Sequence, residues 1–298
     1  MDYIMITPMY NESTYLQKLK ETILNQTVRP ALWVIGDGNS TDNSYAIATE
    51  TFKEYDWIHI IRQKHFYNNG YSHQNISYNT NDCLDYARNT SAEKNIEYAF
   101  VGNMDASLYL SNMCFELLKQ EMEKDPGLAF TCAQQISQPI SINEINNKGP
   151  FKIYKGLNNC RLYRKEFIYE IGGYPITFSP DSVLKVKALN RGWRIKKVEK
   201  AYTLQRRRPG CKRGCWKGYQ LFGNGMYNLG YHPLLLLLNV LYTSISYPYY
   251  IGLAIGYGYI QAFIRNDQKI TDSEVREYFW NKRLAEIAKG IFWEEDAC

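Results

Sequence analysis

Short apolar runs alternate with helix-length stretches through the first half of the chain, and this alternation limits the fold more than any other feature. Strands are expected at Tyr3 to Thr7, Leu32 to Ile35, Trp57 to Ile61, a run closing near Asp105, and Leu128 to Ala133. Helices are expected between them, from Ser13 to Gln26, Asn43 to Tyr55, Ile76 to Ala92 and Asn112 to Lys124. Ser13 reads as a helix cap, and Asp125-Pro126-Gly127 as a helix stop. Strands separated by helices at this spacing form βαβ units and a parallel sheet. Gln63 to Asn75, and the Asn- and Gln-rich stretch Gln134 to Pro150, read as loops, the second lying over a cleft.

Open sheets of this kind bind ligands beyond the carboxyl ends of their strands. Acids stand at several of those ends. Pro8-Met9-Tyr10-Asn11-Glu12 follows the first strand, and Gly36-Asp37-Gly38-Asn39-Ser40-Thr41-Asp42 follows the second. Val101-Gly102-Asn103-Met104-Asp105-Ala106-Ser107 delivers Asp105 to a third. Carboxylates at Glu12 and Asp37 can accept hydrogen bonds from nucleobase N–H groups and ribose hydroxyls. Taken singly, Asp37 is a turn former and Asp42 a helix cap. Acids at successive strand ends shift Asp37 to nucleotide binding and leave Asp42 a cap. Further on, Ser179-Pro180-Asp181-Ser182-Val183-Leu184 opens a helix running to Arg191. The helix dipole favours the ionised form of Asp181 that a general base needs, although an Asp after Pro is also an ordinary cap.

The order of these segments, with Ile171-Gly172-Gly173-Tyr174-Pro175 ahead of Asp181, resembles the family-two glycosyltransferases of the GT-A fold from about Tyr3 to Thr203. The resemblance implies an α/β protein with a GT-A-type, Rossmann-like, mostly parallel sheet flanked by helices, its catalytic domain spanning 1–205. It implies nucleotide-sugar binding through Pro8, Tyr10, Glu12, Asp37 and Asp105. It implies Asp181 as the catalytic base of an inverting transfer from a UDP- or GDP-linked sugar to a hydroxyl on a glycan or lipid-linked acceptor. A divalent cation, Mn²⁺ or Mg²⁺, would sit on Asp105. Two positions depart from the family pattern. Ser107 stands where the family has the second acid of Asp-Ala-Asp, and it is a poorer ligand for a hard cation. Pro180 stands where an acid commonly precedes the base. Arg206, Arg207 and Arg208 could grip diphosphate oxygens bidentately in compensation, or equally face lipid headgroups. The departures keep two other readings open. One is a polyprenyl-phosphate glycosyl synthase, which needs no strong base. The other is a catalytically silent nucleotide-sugar-binding membrane scaffold.

The last third, 206–298, reads as a basic linker and an apolar α-helical region. Pro233 to Ile264 contains no charged residue. About 20 apolar residues span a bilayer, but Asn239, Pro248 and Gly252, Gly256 and Gly258 interrupt this stretch, so two helices breaking near Pro248 are expected. Tyr242, Tyr249, Tyr250 and Tyr257 suit a membrane interface. The expectation is a peripheral or re-entrant attachment to the cytoplasmic side of a membrane. A pair of buried core helices in a soluble cytoplasmic protein is the alternative. A charged helix should follow from Asp272 to Phe292.

With 298 residues, 45% of them apolar, the chain can bury a large core, and its net charge of +5 is mild. Seven scattered cysteines, with no basic segment ahead of the first strand, suggest reduced thiols. Cys211 and Cys215 lack a second pair at zinc spacing. No phosphate-binding P-loop motif occurs, and Gly223-Asn224-Gly225 follows no strand as a dinucleotide fingerprint would. The basic residues are not interleaved as nucleic-acid binding requires.

Overall fold

The computed structural model describes residues 1–66, 73–136, 160–205, 214–245 and 249–289. Within these the chain divides into two compact units. One is drawn from Met1–Ile176 and Ala188–Arg206, the other from Thr177–Lys187 and Arg207–Glu294.

The first unit is built on an eight-stranded mixed sheet. Its strands are β1 (Tyr3–Met9), β2 (Leu32–Asp37), β3 (Ile58–Arg62), β4 (Phe100–Met104), β5 (Leu108–Leu110), β6 (Leu128–Ile136), β7 (Cys160–Arg164) and β8 (Arg194–Gln205), in the order β3-β2-β1-β4-β7-β6-β8-β5. The half formed by β3, β2, β1 and β4 is entirely parallel. β7 then runs antiparallel to both β4 and β6, while β8 pairs parallel to β6. The flanking helices are α1 (Leu16–Leu24), α2 (Ser44–Phe52), α3 (His73–Glu93), α4 (Cys114–Lys124) and α5 (Lys165–Glu170). Every residue of β2, β4 and β6 is buried, the pattern of strands covered on both faces.

Polar side chains tie the layers together from inside. The Trp33 indole packs against Phe52 and Trp57, and its N–H donates to the Thr7 hydroxyl at 2.9 Å. Tyr3 stacks on Phe115 of α4, and its hydroxyl donates to the Val28 carbonyl. Arg164 closes β7 by donating to the carbonyls of Leu128, Met122 and Asp125.

Three details depart from the sequence reading. α1 starts at Leu16, with Tyr15 rather than Ser13 at the cap position and no side-chain cap; the Ser13 N–H donates to Asp42 in the neighbouring loop. Gln134 to Ile136 continue β6 rather than opening a loop; the rest of that expected loop lies outside the described residues. Cys83, Cys114 and Cys160 are buried free thiols, but Cys132 and Cys215 are disulfide-bonded, against the expectation of reduced cysteines throughout.

The second unit is helical. It begins with the larger part of α6 (Pro180–Asn190) and continues with α7 (Cys215–Asn228), α8 (Pro233–Ser244) and α9 (Tyr250–Ile264). A final run joins α10 (Ser273–Glu277), a π-turn at Tyr278–Lys282 and α11 (Arg283–Ala288). α8 and α9 match the two expected helices. Among the described residues, no helix is long and apolar enough to cross a membrane. α7 forms despite Gly218, Gly223 and Gly225, because two of its backbone positions lie against α9. A Cβ on Gly223 would overlap the Ile255 carbonyl, and one on Gly258 would overlap the Gln220 carbonyl. Met226, Tyr227, Ile255, Tyr259 and Ala262 fill the seam.

The glycines of α9 therefore separate by function. Gly258→Ala should destabilise the helical unit by about 1–3 kcal/mol, because backbone must move to admit the methyl. At Gly256 an added Cβ meets only Val240 Cγ2, at an ordinary 3.5 Å, so Gly256→Ala should stabilise by about 0.5–1 kcal/mol. Urea unfolding of the two variants checks both signs.

Candidate active site

β1, β2 and β4 are adjacent and parallel, so the segments after them leave the same end of the sheet. Pro8 lies in β1 in register with Gly36, and half-buried Tyr10 and Glu12 follow it. Asp37 ends β2 with 1% of its surface exposed. Asp105 and Ser107, both half-buried, follow β4 in a tight turn closed by Leu108 N–H donating to the Asp105 carbonyl at 3.2 Å.

The first two loops are stitched into one wall. Asn11 takes a left-handed backbone, φ 54°, and so does Asn39, φ 60°; Asn enters this region at less cost than most residues. The Asn11 side-chain oxygen accepts from Thr41 N–H at 2.8 Å, and its amide donates to the Thr41 hydroxyl. Asn11 N–H donates to Ser40 Oγ, and Glu12 N–H to Ser44 Oγ at 2.8 Å. Asp42 accepts from the backbone N–H of Ser13 and Ser44 and from the Ser44 hydroxyl. Partial burial pushes its carboxyl up, but the bonds from Ser44 and Ser13 outweigh this and hold it below the usual range. Asp42 therefore serves both as a helix-start cap and as a bridge to the first loop.

Asp37 is the residue this wall leaves unfinished. One carboxylate oxygen accepts from Ser40 N–H at 3.3 Å. The other, Oδ1, is buried with no partner among the described residues. Such a group costs on the order of 1–3 kcal/mol unless something donates to it. A second buried acceptor without a described partner is Oε1 of Gln63, just past β3. Gln63 N–H donates to the Asp37 carbonyl, and its amide nitrogen donates to the carbonyls of His65 and Asn75. An added Cβ on Gly38 would lie 3.2 Å from Gln63 Oε1, so the two acceptors flank one glycine turn.

α3 supplies further residues that the sequence reading missed. Asn79 donates to the Gly36 carbonyl at 2.7 Å. Buried Asp82 accepts from the N–H groups of Lys64 and His65 and pairs with the His65 ring. Asn81 both accepts from Tyr174 N–H and donates to its carbonyl, each at 2.8 Å. This clamps the turn at Gly172 and Gly173, both at positive φ, onto the sheet unit. The sequence signal was a run of Asn and Asp on a helix where solvated residues would suffice.

Asp105 also faces a buried pair. The thiols of Cys114 and Cys160 lie 3.9 Å apart. Burial, the neighbouring thiol and Asp105 push the Cys160 thiol well up, while Arg161 opposes them. Among the described residues no three of His, Cys, Asp and Glu cluster to hold a metal.

Asp181 belongs to the helical unit, in the first turn of α6 and half-buried. The structure thus brings Glu12, Asp37 and Asp105 to one sheet end, and it places Asp181 on a separate compact unit. Arg206, Arg207 and Arg208 lie outside the described residues.

A parallel half-sheet with acids beyond its carboxyl ends, extended by an antiparallel strand, defines an α/β nucleotide-diphosphosugar transferase fold. The chain belongs to glycosyl transferase family 2, whose pattern it matches over residues 4–172, and it is accordingly a glycosyltransferase. Solved structures agree on the fold. The mannosyltransferase PcManGT from Pyrobaculum calidifontis, in complex with GDP-Man and Mn²⁺, is 14% identical with a TM-score of 0.55, covering 97% of this chain and 79% of that one. TarS of S. aureus, in complex with UDP-GlcNAc, is 16% identical with a TM-score of 0.51, covering 85% and 76%. GalNAc-T7, with UDP, GalNAc and Mn²⁺, is 13% identical with a TM-score of 0.52, covering 97% and 57%. No curated protein matches the sequence.

The Asn11 junction gives a direct test of the wall. Asn11→Ala should destabilise the sheet unit by about 1–3 kcal/mol, through lost hydrogen bonds and left-handed strain. Asn11→Gly removes only the hydrogen bonds and should cost distinctly less. Equal losses in urea unfolding would show that the backbone conformation contributes nothing.

Proposed function

We propose that the protein transfers a sugar, with inversion, from a nucleoside diphosphate sugar to an acceptor hydroxyl. The observation that carries this reading is the buried Asp37 Oδ1, an acceptor aimed at no described donor, at a strand end of a family-2 glycosyltransferase. Nucleobase N–H and ribose hydroxyl groups are donors of the required kind. Gln63 Oε1 is a second buried acceptor without a described partner, near Gly38. The complexes of similar folds with GDP-Man and with UDP-GlcNAc support a nucleotide-sugar donor here.

In this mechanism Glu12 and Asp37 orient the nucleoside. Asp105 faces the diphosphate end and would hold a divalent ion there, which would neutralise leaving-group charge. Asp181 accepts the proton of the acceptor hydroxyl as its oxygen attacks the anomeric carbon and the nucleoside diphosphate departs. Ser107 leaves one carboxylate fewer at the diphosphate.

A thermal-shift panel of UDP- and GDP-sugars, with and without Mn²⁺, should raise the melting point for the cognate donor, since a ligand that binds only the native state stabilises it. Asp37→Asn should weaken that donor at least tenfold. Asp181→Asn should keep donor binding and lose transfer by a factor of 10² to 10⁴, the usual contribution of a general base. Turnover of Asp181→Asn with a polyprenyl phosphate acceptor would establish the synthase reading instead. Donor binding without turnover on any acceptor would establish the silent binder. Ser107→Asp should tighten the Mn²⁺ dependence of donor binding.

A further inference from the structure

The second unit wears its helices inside out. On α9, Leu253, Tyr257, Ile260 and Ile264 recur at helical spacing and are 51–76% exposed. The opposite stripe, Gly252, Ala254, Ile255, Gly258 and Ala262, is buried against the rest of the unit. On α8, Leu234, Leu237 and Leu241 form a second exposed stripe, continued by Ile245, while Leu235 is buried. An apolar face this extensive is not an ordinary surface of a monomer. Within one chain, α8 and α9 thus bury one face each and leave the other exposed.

We propose that the outer face of α8 and α9 seats in the headgroup layer of an anionic lipid surface. Length rules out spanning. α8 and α9 have 12 and 15 residues, about 18 and 22 Å at 1.5 Å per residue, against a hydrocarbon core of about 30 Å. Helices lying in the interface plane need no such length. The aromatic residues have the right chemistry. Exposed Trp216 lies 6.1 Å from the ring of Tyr250 and 6.3 Å from that of Tyr257, and Trp and Tyr favour the boundary between water and lipid.

Charge decides between lipid and a second copy of the chain. From Arg207 to Asn266 the sequence has six Lys and Arg and not one Asp or Glu. The remainder of the chain has 29 Lys and Arg against 30 Asp and Glu, so the whole positive excess of the protein resides in this segment. Exposed Lys217 follows Trp216 at the start of α7, and exposed Arg265 follows the last turn of α9, where it pairs with Asp267 at 2.8 Å. A segment of one charge sign disfavours pairing with a second copy of itself. Anionic headgroups complement it.

The inference does not depend on the reaction, and its test is separate from any activity assay. The full chain is sedimented with phosphatidylcholine vesicles and with equimolar phosphatidylcholine–phosphatidylglycerol vesicles. Binding to the anionic vesicles should exceed binding to the neutral ones by at least tenfold and should weaken with salt. Leu241→Glu combined with Ile260→Glu should reduce that binding by at least tenfold. Both positions are exposed, so the melting midpoint should stay within a few degrees of the parent. No binding of the parent chain to either vesicle overturns the proposal. So does a parent dimer in light scattering that this double variant converts to monomer, which would assign the face to a second copy.

Discussion

Parallel hydrogen bonding of β1 to both β2 and β4 is the constraint from which the active-site region follows. All three strands are buried over nearly their whole length. A slip of one residue in any of them would turn its side chains to the opposite face, so the register is held by both layers of packing. With the register fixed, Met9 opposes Asp37 and Ile6 opposes Asn103. The loops that carry Glu12, Asp37 and Asp105 then leave the sheet side by side. Their mutual hydrogen bonds refine this arrangement rather than create it.

The same wall explains how a carboxylate can stay buried and unfinished. Asn11, Ser40, Thr41, Asp42 and Ser44 satisfy one another, and this network fixes the backbone around Asp37 without donating to its Oδ1. The cost of that lone oxygen is carried by neighbours whose own groups are paired. A donor entering the cleft recovers it, and the recovery is specific, because a ligand lacking the hydrogen would leave the oxygen as it was. Preorganisation here consists of a site that is rigid except for the bond it lacks.

The sequence was most legible where local pattern and global fold agreed. Asp37 and Asp105 could be placed because each ends an apolar run, and strand ends are where such sheets bind. Gln63 and Asn79 could not. The Asn79 side chain reaches from a helix to the Gly36 carbonyl, and Gln63 meets the Asp37 carbonyl through its backbone N–H while its side chain bonds His65 and Asn75; nothing in a Gln or an Asn announces such contacts. Ser13 looked like a cap because Ser precedes a helical pattern, yet the helix starts later, at Leu16, and Ser13 is tied through its N–H to Asp42, a residue of the next loop. β7 was hidden for another reason. Cys160 to Arg164 carries two arginines in five residues, and they are tolerated because Arg164 satisfies three carbonyls while Arg161 lies over the Phe130 ring and donates to the Tyr163 hydroxyl.

α7 was concealed by its glycines, and the reason bears on the whole helical unit. A unit that turns leucines, tyrosines and isoleucines outward has fewer large side chains left to fill its interior. Close backbone approach offsets this. Gly223 and Gly258 let α7 and α9 come together until any Cβ would overlap a carbonyl, and Gly252 does the same for α8 and α9 against Val240. Dispersion between closely packed backbones substitutes for the missing side-chain volume. Small residues serve helices in the same way when lipid, not water, lies outside them. Glycines that look like helix breakers in a soluble sequence are therefore part of the same adaptation as the apolar outer stripes.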